Sequence, residues 1–462
     1  MRFQSIRWTV RGWLILILSL VGVGPLAQAQ ATSPNLKMGN PSGAQPVVGS
    51  RNNYLLDRPY FATSYNNSKG TPNWVSWRLA KEDLGRAPRD AFYADLDLPA
   101  GFLRVDPREY TGSGFDRGHM CPHGDRTATT ASSLATFTMT NIIPQSHDVN
   151  TMAWEALESY CRDLARTQGK VCYIIDGPAG QGGTGKKGLV DTTPDGKVVV
   201  PSTNWKVVMV LDADVASAKD LTANSAIRLI AVIIPNADGA VSEDWSPFLT
   251  TVNQVEALTG YTFFSDVDPA VINPLKGGEG FGPTSVPHLV RARISPDQPQ
   301  PPHPIGPAPI APARAVVPTE PRPAVENQAM MNIPAIATLK QATEGLTYPS
   351  ESDEPFEVFS WGEVQGPMTD AKLWNLAQQD PKARIERVDL TRFFARLTEP
   401  THPQSQVDPA GVQRFTALRD ALKAELTDIE VIKIGQAEVV YYIIGRTKDG
   451  KVVGVRTAAT ET

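Results

Sequence analysis

A chain of 462 residues is too long for one ordinary hydrophobic core and calls for two domains. Its 41% hydrophobic content is that of a globular protein and excludes a disordered or fibrous one. The formal charge of -5 excludes a molecule that holds polyanions by bulk basicity, so any such site must be a local cluster of cations.

At the N-terminus, Arg2, Arg7 and Arg11 precede the apolar run 13–23, and Ala27-Gln28-Ala29 follows as a small-x-small cleavage site. Residues 1–29 therefore read as a secretory signal peptide, and the run is short for a membrane span. Loss of its three arginines takes the remainder to about -8. No later segment is apolar for long enough to cross a bilayer, so the expected location is secreted or periplasmic, with no membrane attachment after cleavage. In such a compartment Cys161 and Cys172 could pair across a short connection and leave Cys121 over, or all three could be buried free thiols; their spacing excludes a CxxC zinc site.

The first domain is expected over 48–275. Short β-branched runs at 171–175, 197–200, 205–211 and 228–234, separated by loops such as 177–188, predict a mixed sheet. The glycine-rich run GSGFDRGHMCPHGDR brings Asp116, Arg117 and His119 together. Between 149 and 167, Ala153, Leu157, Tyr160 and Leu164 recur at spacings of 4, 3 and 4 as the apolar face of a helix, which puts Asn150, Trp154, Glu158 and Arg162 on the adjacent face. On its own that face could be solvated, with an ordinary ion pair between Glu158 and Arg162. Beside a histidine of near-neutral pKa, an asparagine oxygen suited to a hard cation and planar arginine forks, it points to metal-assisted cleavage of a phosphodiester. A strand carrying His119, a connection and this helix would form a ββα site.

Residues 276–331 form the expected linker. From 296 to 324 they are proline-rich and without apolar periodicity, an extended segment of about 3.1 Å per residue where stiff. The second domain, 332–462, opens with an amphipathic segment at 336–342 and the acidic run SESDEPFEVF. A helix over about 411–426 follows, then strands at 429–434, 439–444 and 452–456 with Lys448-Asp449-Gly450 as a hairpin turn. This predicts a small α+β sandwich with no catalytic constellation of its own.

Three stretches, GSGFDRGHM, TFTMTNIIPQ and N-x-x-x-W-x-x-L-E, resemble the DNA/RNA non-specific endonucleases of the ββα-metal superfamily, in particular the secreted, sugar-non-specific kind of cyanobacteria. The likeness covers most of residues 50–270, including NWVSWRL, NWKVVMVLD and LTGYTFF. It implies His119 as general base and Asn150 on a magnesium ion, with manganese as the alternative and water and phosphate oxygens as the other ligands. Glu158 would act through a metal-bound water. Arg117, Arg162 and Arg89 would bind phosphate and stabilise charge, Arg86 competing with Arg89 for the upstream position. Asn141 would line the site, Asp116 and Trp154 would hold the scaffold, and His123 and His147 would have no role.

The second domain, through ATLKQATEGL, SESDEPFEVFSWG, VDLTRFFARLTEP and TAATET, resembles the small inhibitor of nuclease A. That likeness implies Glu351 facing an active-site arginine and Thr462, by hydroxyl and α-carboxylate, reaching the metal, with Glu461 beside it as a third inhibitory contact. The expectation is a secreted endonuclease cutting DNA and RNA and restrained by its own inhibitor-like domain; the alternative is a nuclease whose second domain binds another protein.

Overall fold

Seven strands of the first module lie in one sheet in the order β1 (Tyr54–Asp57), β2 (Ala62–Asn66), β3 (Thr71–Leu79), β6 (Val171–Ala179), β9 (Thr203–Leu211), β10 (Arg228–Pro235) and β11 (Leu249–Thr250). The computed structural model describes residues 33–278, 333–399 and 409–462; the expected signal peptide and all but residues 276–278 of the expected linker lie outside them. Every pairing in the sheet is antiparallel, not mixed as the β-branched runs suggested. The reason lies between β3 and β6: Leu79 at the end of β3 pairs with Cys172 at the start of β6, so the chain returns at the end where it left. That excursion, residues 80–170, carries the candidate site.

Strand residues alternate between two buried faces. Trp74, Tyr173, Ile175, Trp205, Val207 and Met209 pack under helices α4 (Val252–Thr259) and α5 (Pro269–Lys276). Val75, Trp77, Ile174, Val208, Val210 and Ile230 face the excursion. Residues ahead of the expected start at 48 belong to this core: Met38 and Ala44 are buried in it, and Trp74 Nε1 donates to Ser42 Oγ at 2.8 Å. The expected strand 197–200 is absent from the sheet, because Val198 packs instead with Tyr110 and Ile142 in a separate cluster.

Within the excursion, β4 (Asp116–His119) pairs antiparallel with β5 (Ile142–Gln145), and α1 (Thr130–Ala135) lies between them in sequence. The single helix expected over 149–167 is two, α2 (His147–Thr151) and α3 (Ala153–Gln168), broken at Met152 where φ is -112° and ψ is -100°. Asn150 and Glu158 are therefore on two separate helices rather than one stripe. Helix α3 ends at Gly169, whose positive φ of 64° lets its N–H reach Leu164 O. A further short hairpin, β7 (Gly183–Gly185) and β8 (Gly188–Val190), stands beside β4.

The second module is a five-stranded antiparallel sheet in the order β12 (Glu357–Glu363), β16 (Lys451–Thr460), β15 (Glu438–Arg446), β14 (Thr427–Gly435) and β13 (Ile385–Val388). Tyr441, Ile443, Val453 and Val455 face α6 (Pro334–Thr343), α8 (Leu390–Thr398) and α9 (Pro409–Glu425), while Tyr442, Ile444 and Val452 face α7 (Asp370–Ala377). Among the described residues no core cluster mixes residues of the two modules, so each module packs around hydrophobic cores of its own. Among the described residues no helix is long and apolar enough to cross a membrane.

Candidate active site

The β4–β5 hairpin seats the site's upper layer. Gly118 is required there, because a Cβ would lie 2.2 Å from the Gln145 side chain across the ladder. Next to it His119 is buried between the Phe92 and Phe137 rings, at 5.3 and 5.1 Å. Burial, helped by the Arg89 charge, lowers its pKa against the opposing pull of Glu351, so the imidazole is kept neutral. Its Nδ1 faces Glu351 Oε1 at 3.4 Å.

Asn150, in the last turn of α2, donates from Nδ2 to Asp116 Oδ2 at 3.2 Å and to Glu351 Oε2 at 2.7 Å. Those two bonds turn its Oδ1 toward the Thr462 hydroxyl, 3.5 Å away. Asp116 is held in turn by His147 Nδ1 at 2.9 Å, so it acts on the site through Asn150. Arg117 donates to Pro107 O at 3.0 and 2.8 Å, to Ser350 O at 2.9 Å and to Asp353 Oδ2 at 2.7 Å. Arg89 stacks over Phe137 and donates to both Glu351 Oε1 and Thr462 O, whereas Arg86 is exposed.

Glu351 thus sits at the point where Arg89, His119 and Asn150 converge. Burial alone would raise its pKa, but Arg89, His119 and the Asn150 amide outweigh it and keep the carboxylate charged. The Thr462 hydroxyl donates to Glu351 Oε2 at 2.9 Å. The donor set fits a hard divalent ion: Asn150 offers a buried carbonyl oxygen with one long contact, and such ions take one or two protein oxygens and fill the rest with water and phosphate. Among the described residues no group of three or more His, Cys, Asp or Glu could hold a metal ion.

A lower layer holds the residues expected further along the helix. Glu158 is buried, accepts from Lys206 Nζ at 3.0 Å and lies 3.7 Å from Arg162. Burial pushes its pKa up to about 7 against those two cations. Lys206 is itself enclosed, 4.0 Å from the Trp154 ring centroid, and also faces Asp176 at 3.3 Å. Arg162 bridges Asp125 at 3.3 Å and Glu155 at 3.1 Å, and Asp125 accepts from Trp77 Nε1 at 2.9 Å. Neither Glu158 nor Arg162 meets Glu351 or Thr462 in a hydrogen bond or ion pair.

Three expected residues sit differently. Asn141 does not line the site: its amide is spent on Cys121 N, Cys121 O and Thr136 O, bracing the turn after β4. Glu461 is bound within its own module by Lys433 and the Tyr441 hydroxyl, and against burial the charges of Lys433, Arg396 and Arg89 hold its pKa down to about 2. His147, read as without a role, joins Asp116 to Glu438 of the second module at 2.8 Å. Asp353, Glu354, Lys186 and Lys206 add to the expected set; the acidic run marks the first two, and a lone lysine in a β-branched strand gives no signal for the last. All three cysteines are buried and unpaired.

A two-strand hairpin followed by a helix, presenting a buried histidine and an asparagine oxygen beside arginines, is the frame of a ββα-metal nuclease, a class that works with a divalent ion. Residues 39–270 match the family described as DNA/RNA non-specific endonuclease, and residues 333–462 match the nuclease A inhibitor-like proteins. The chain belongs to the DNA/RNA non-specific endonuclease family and carries a nuclease A inhibitor-like domain at its C-terminal end. It is 45% identical over 269 residues to a nuclease of Nostoc sp., covering 56% of this chain and 94% of that one. It is also 31% identical to nuclease C1 of Cunninghamella echinulata, covering 53% of this chain and 94% of the relative. Mitochondrial nuclease EXOG of Homo sapiens is 30% identical, with 45% of this chain and 56% of the relative covered.

Proposed function

We propose that the first module is an exported, magnesium-dependent endonuclease, with manganese as the alternative ion, that hydrolyses DNA and RNA. We propose further that the second module blocks its site in cis. The observation that carries this reading is the Glu351 carboxylate, which meets Arg89, His119 and Asn150 together, as a scissile phosphate would. Thr462 adds its hydroxyl at the Asn150 oxygen. Export rests on the leader pattern of residues 1–29.

With the carboxylate withdrawn, Arg89 and Arg117 clamp the phosphate by charged forks, and neutral His119 takes the proton of the attacking water at Nδ1, the nitrogen that faces Glu351. Asn150 would hold the divalent ion, which supplies Lewis-acid stabilisation of the leaving oxygen. Water attacks phosphorus, the phosphorus–oxygen bond to the leaving sugar breaks, and the leaving oxygen takes a proton from solvent while His119 later releases the one it accepted, so the strand ends in a free hydroxyl and a phosphate. Phe92 and Phe137 keep the imidazole dry and correctly turned. Asp116 keeps the Asn150 oxygen aimed outward. Glu158 and Arg162 hold the charge balance beneath.

Tethering favours the blocked form, since a module on the same chain is present at an effective concentration on the order of millimolar for a flexible connection. The test compares cleavage of supercoiled DNA with magnesium by the full chain and by a chain ending at 278. A rise of two orders of magnitude or so on truncation is expected for loss of a contact of about 2–5 kcal/mol. Equal activity would refute restraint in cis and favour a module meant for another partner. Inactivity of both would refute the nuclease reading.

A further inference from the structure

The second module presents three acidic side chains within four residues, and each meets a different cation of the first. Glu351 pairs with Arg89, Asp353 with Arg117 at 2.7 Å, and Glu354 with Lys186 at 2.9 Å. The first two cations belong to the site already described. Lys186 does not, yet it is aligned with them by the same short acidic segment. The Cα atoms of Glu351 and Glu354 lie at most about 10 Å apart even in an extended chain, a spacing on the scale of about three nucleotides of a B-form strand.

Lys186 is placed by backbone, not by chance contact of a long side chain. It sits at the tip of the β7–β8 hairpin, and its N–H donates to Gly114 O at 3.1 Å. Gly185 comes so near the same carbonyl that a Cβ there would lie 2.3 Å from it, so only glycine allows the approach. Thr184 exchanges backbone bonds with Asn236 at 2.9 Å and Asp238 at 2.8 Å, and the Asn236 side chain reaches Pro144 O in the site hairpin at 3.0 Å. The tip is thereby locked to the segment leading into β4. The ammonium is half exposed and has no packing duty in the core. The groups around it are His147, Asp116, Asp238, Glu354 and Glu438. Asp116 is already bound to His147 and Asn150, Asp238 is bound to the Asp148 N–H, and Glu354 and Glu438 belong to the second module. Withdrawal of that module leaves Lys186 facing solvent without its carboxylate.

We propose that Lys186 forms a second phosphate subsite of the nuclease, one that grips the strand's backbone beside the scissile phosphate and that Glu354 fills when the second module is docked. The assignment rests on the reading of the first module as a nuclease. A lysine suits this task because a flanking phosphate needs a point charge that tolerates any base, whereas the scissile group needs the arginine forks. The subsite binds phosphodiester oxygens of DNA and RNA alike.

The test uses residues 33–278, which carry complete cores of their own, and a 12-nucleotide single-stranded DNA as substrate. Cleavage is followed across a series of salt concentrations for the parent, Lys186→Ala and Lys186→Arg. Lys186→Ala is expected to raise KM about 5- to 10-fold with kcat changed by less than about twofold, and to make the log–log salt dependence shallower by about 0.7, the share of one phosphate contact on a single strand. Lys186→Arg, which keeps the charge, should stay close to the parent. An unchanged KM and salt slope in Lys186→Ala would overturn the subsite, as would an equal loss in Lys186→Arg. A parent that cuts no DNA would overturn the nuclease reading and the subsite with it.

Discussion

The upper and lower layers of the site are both buried and both charged, but they are neutralised in opposite ways. Above, Arg89 and Arg117 find their carboxylates on the second module, in Glu351 and Asp353. Below, Lys206 and Arg162 find theirs in Glu158, Asp176, Asp125 and Glu155, all within the first module. Charges compensated internally belong to the scaffold and cost stability when broken. Charges compensated by a neighbour can be handed over, from a carboxylate to a phosphate, without unfolding anything. The same chemistry of buried ion pairs thus supports a fixed floor and an exchangeable surface.

The sharpest way to break this contrast is in the floor. Lys206→Met keeps the volume between Trp77 and Trp154, strands Asp176 without a cation and leaves Glu158 only its longer 3.7 Å contact to Arg162, so the first module should lose about 3–5 kcal/mol of unfolding free energy, read from urea titration. A loss under about 1 kcal/mol would mean that the floor is not held by this pair. Glu351→Gln acts on the surface layer. It removes the charge facing Arg89 and should weaken docking by about 2–5 kcal/mol, seen as a rise in DNA cleavage by the full chain, while the melting of each module stays near that of the parent. If cleavage did not change, Glu351 would not be the blocking group.

The smallest effect is expected at the rim, where His147 joins Asp116 to the largely exposed Glu438. Burial disfavours the imidazolium, yet the two hydrogen-bonded carboxylates raise its pKa to about 10. A raised histidine pKa means stabilisation that is fully present below the ordinary value of about 6.5 and disappears as pH climbs through about 10. Glu438→Gln should therefore lower the full chain's melting temperature near pH 6 by the equivalent of less than about 1 kcal/mol, with the difference from wild type shrinking toward alkaline pH. A difference that grew with pH would show that His147 is not charged in the docked form.

How much of this was legible beforehand varies by residue. His119, Arg117 and Asn150 could be read because their motif has fixed spacing within one ββα unit, and Glu351 because it stands in a distinctive acidic run. The strands at β6, β9, β10, β14, β15 and β16 were readable from dense β-branched residues. The break at Met152 was not, since apolar periodicity continues across it and only the backbone angles reveal that α2 and α3 are separate helices. That break is why Asn150 reaches the surface layer while Glu158 falls into the floor. Asn141 and Glu461 sit differently from expectation for a related cause: a polar side chain in a motif can be turned inward and spent on backbone or on a neighbouring lysine.

By itself the sequence determined the chemical inventory: a histidine, an asparagine and arginines in one module, carboxylates and a threonine hydroxyl in the other, and apolar runs enough for two cores. Local spacing suffices for that, because helices, strands and short hairpins depend on residues close together in the chain. Only the tertiary structure decided which charges face one another. Arg89 and Glu351 lie far apart along the chain, Lys186 and Glu354 likewise, and such pairings arise from how two separately packed sheets present their loops. Long-range electrostatics has no periodicity to read; it exists once the folds have set the distances.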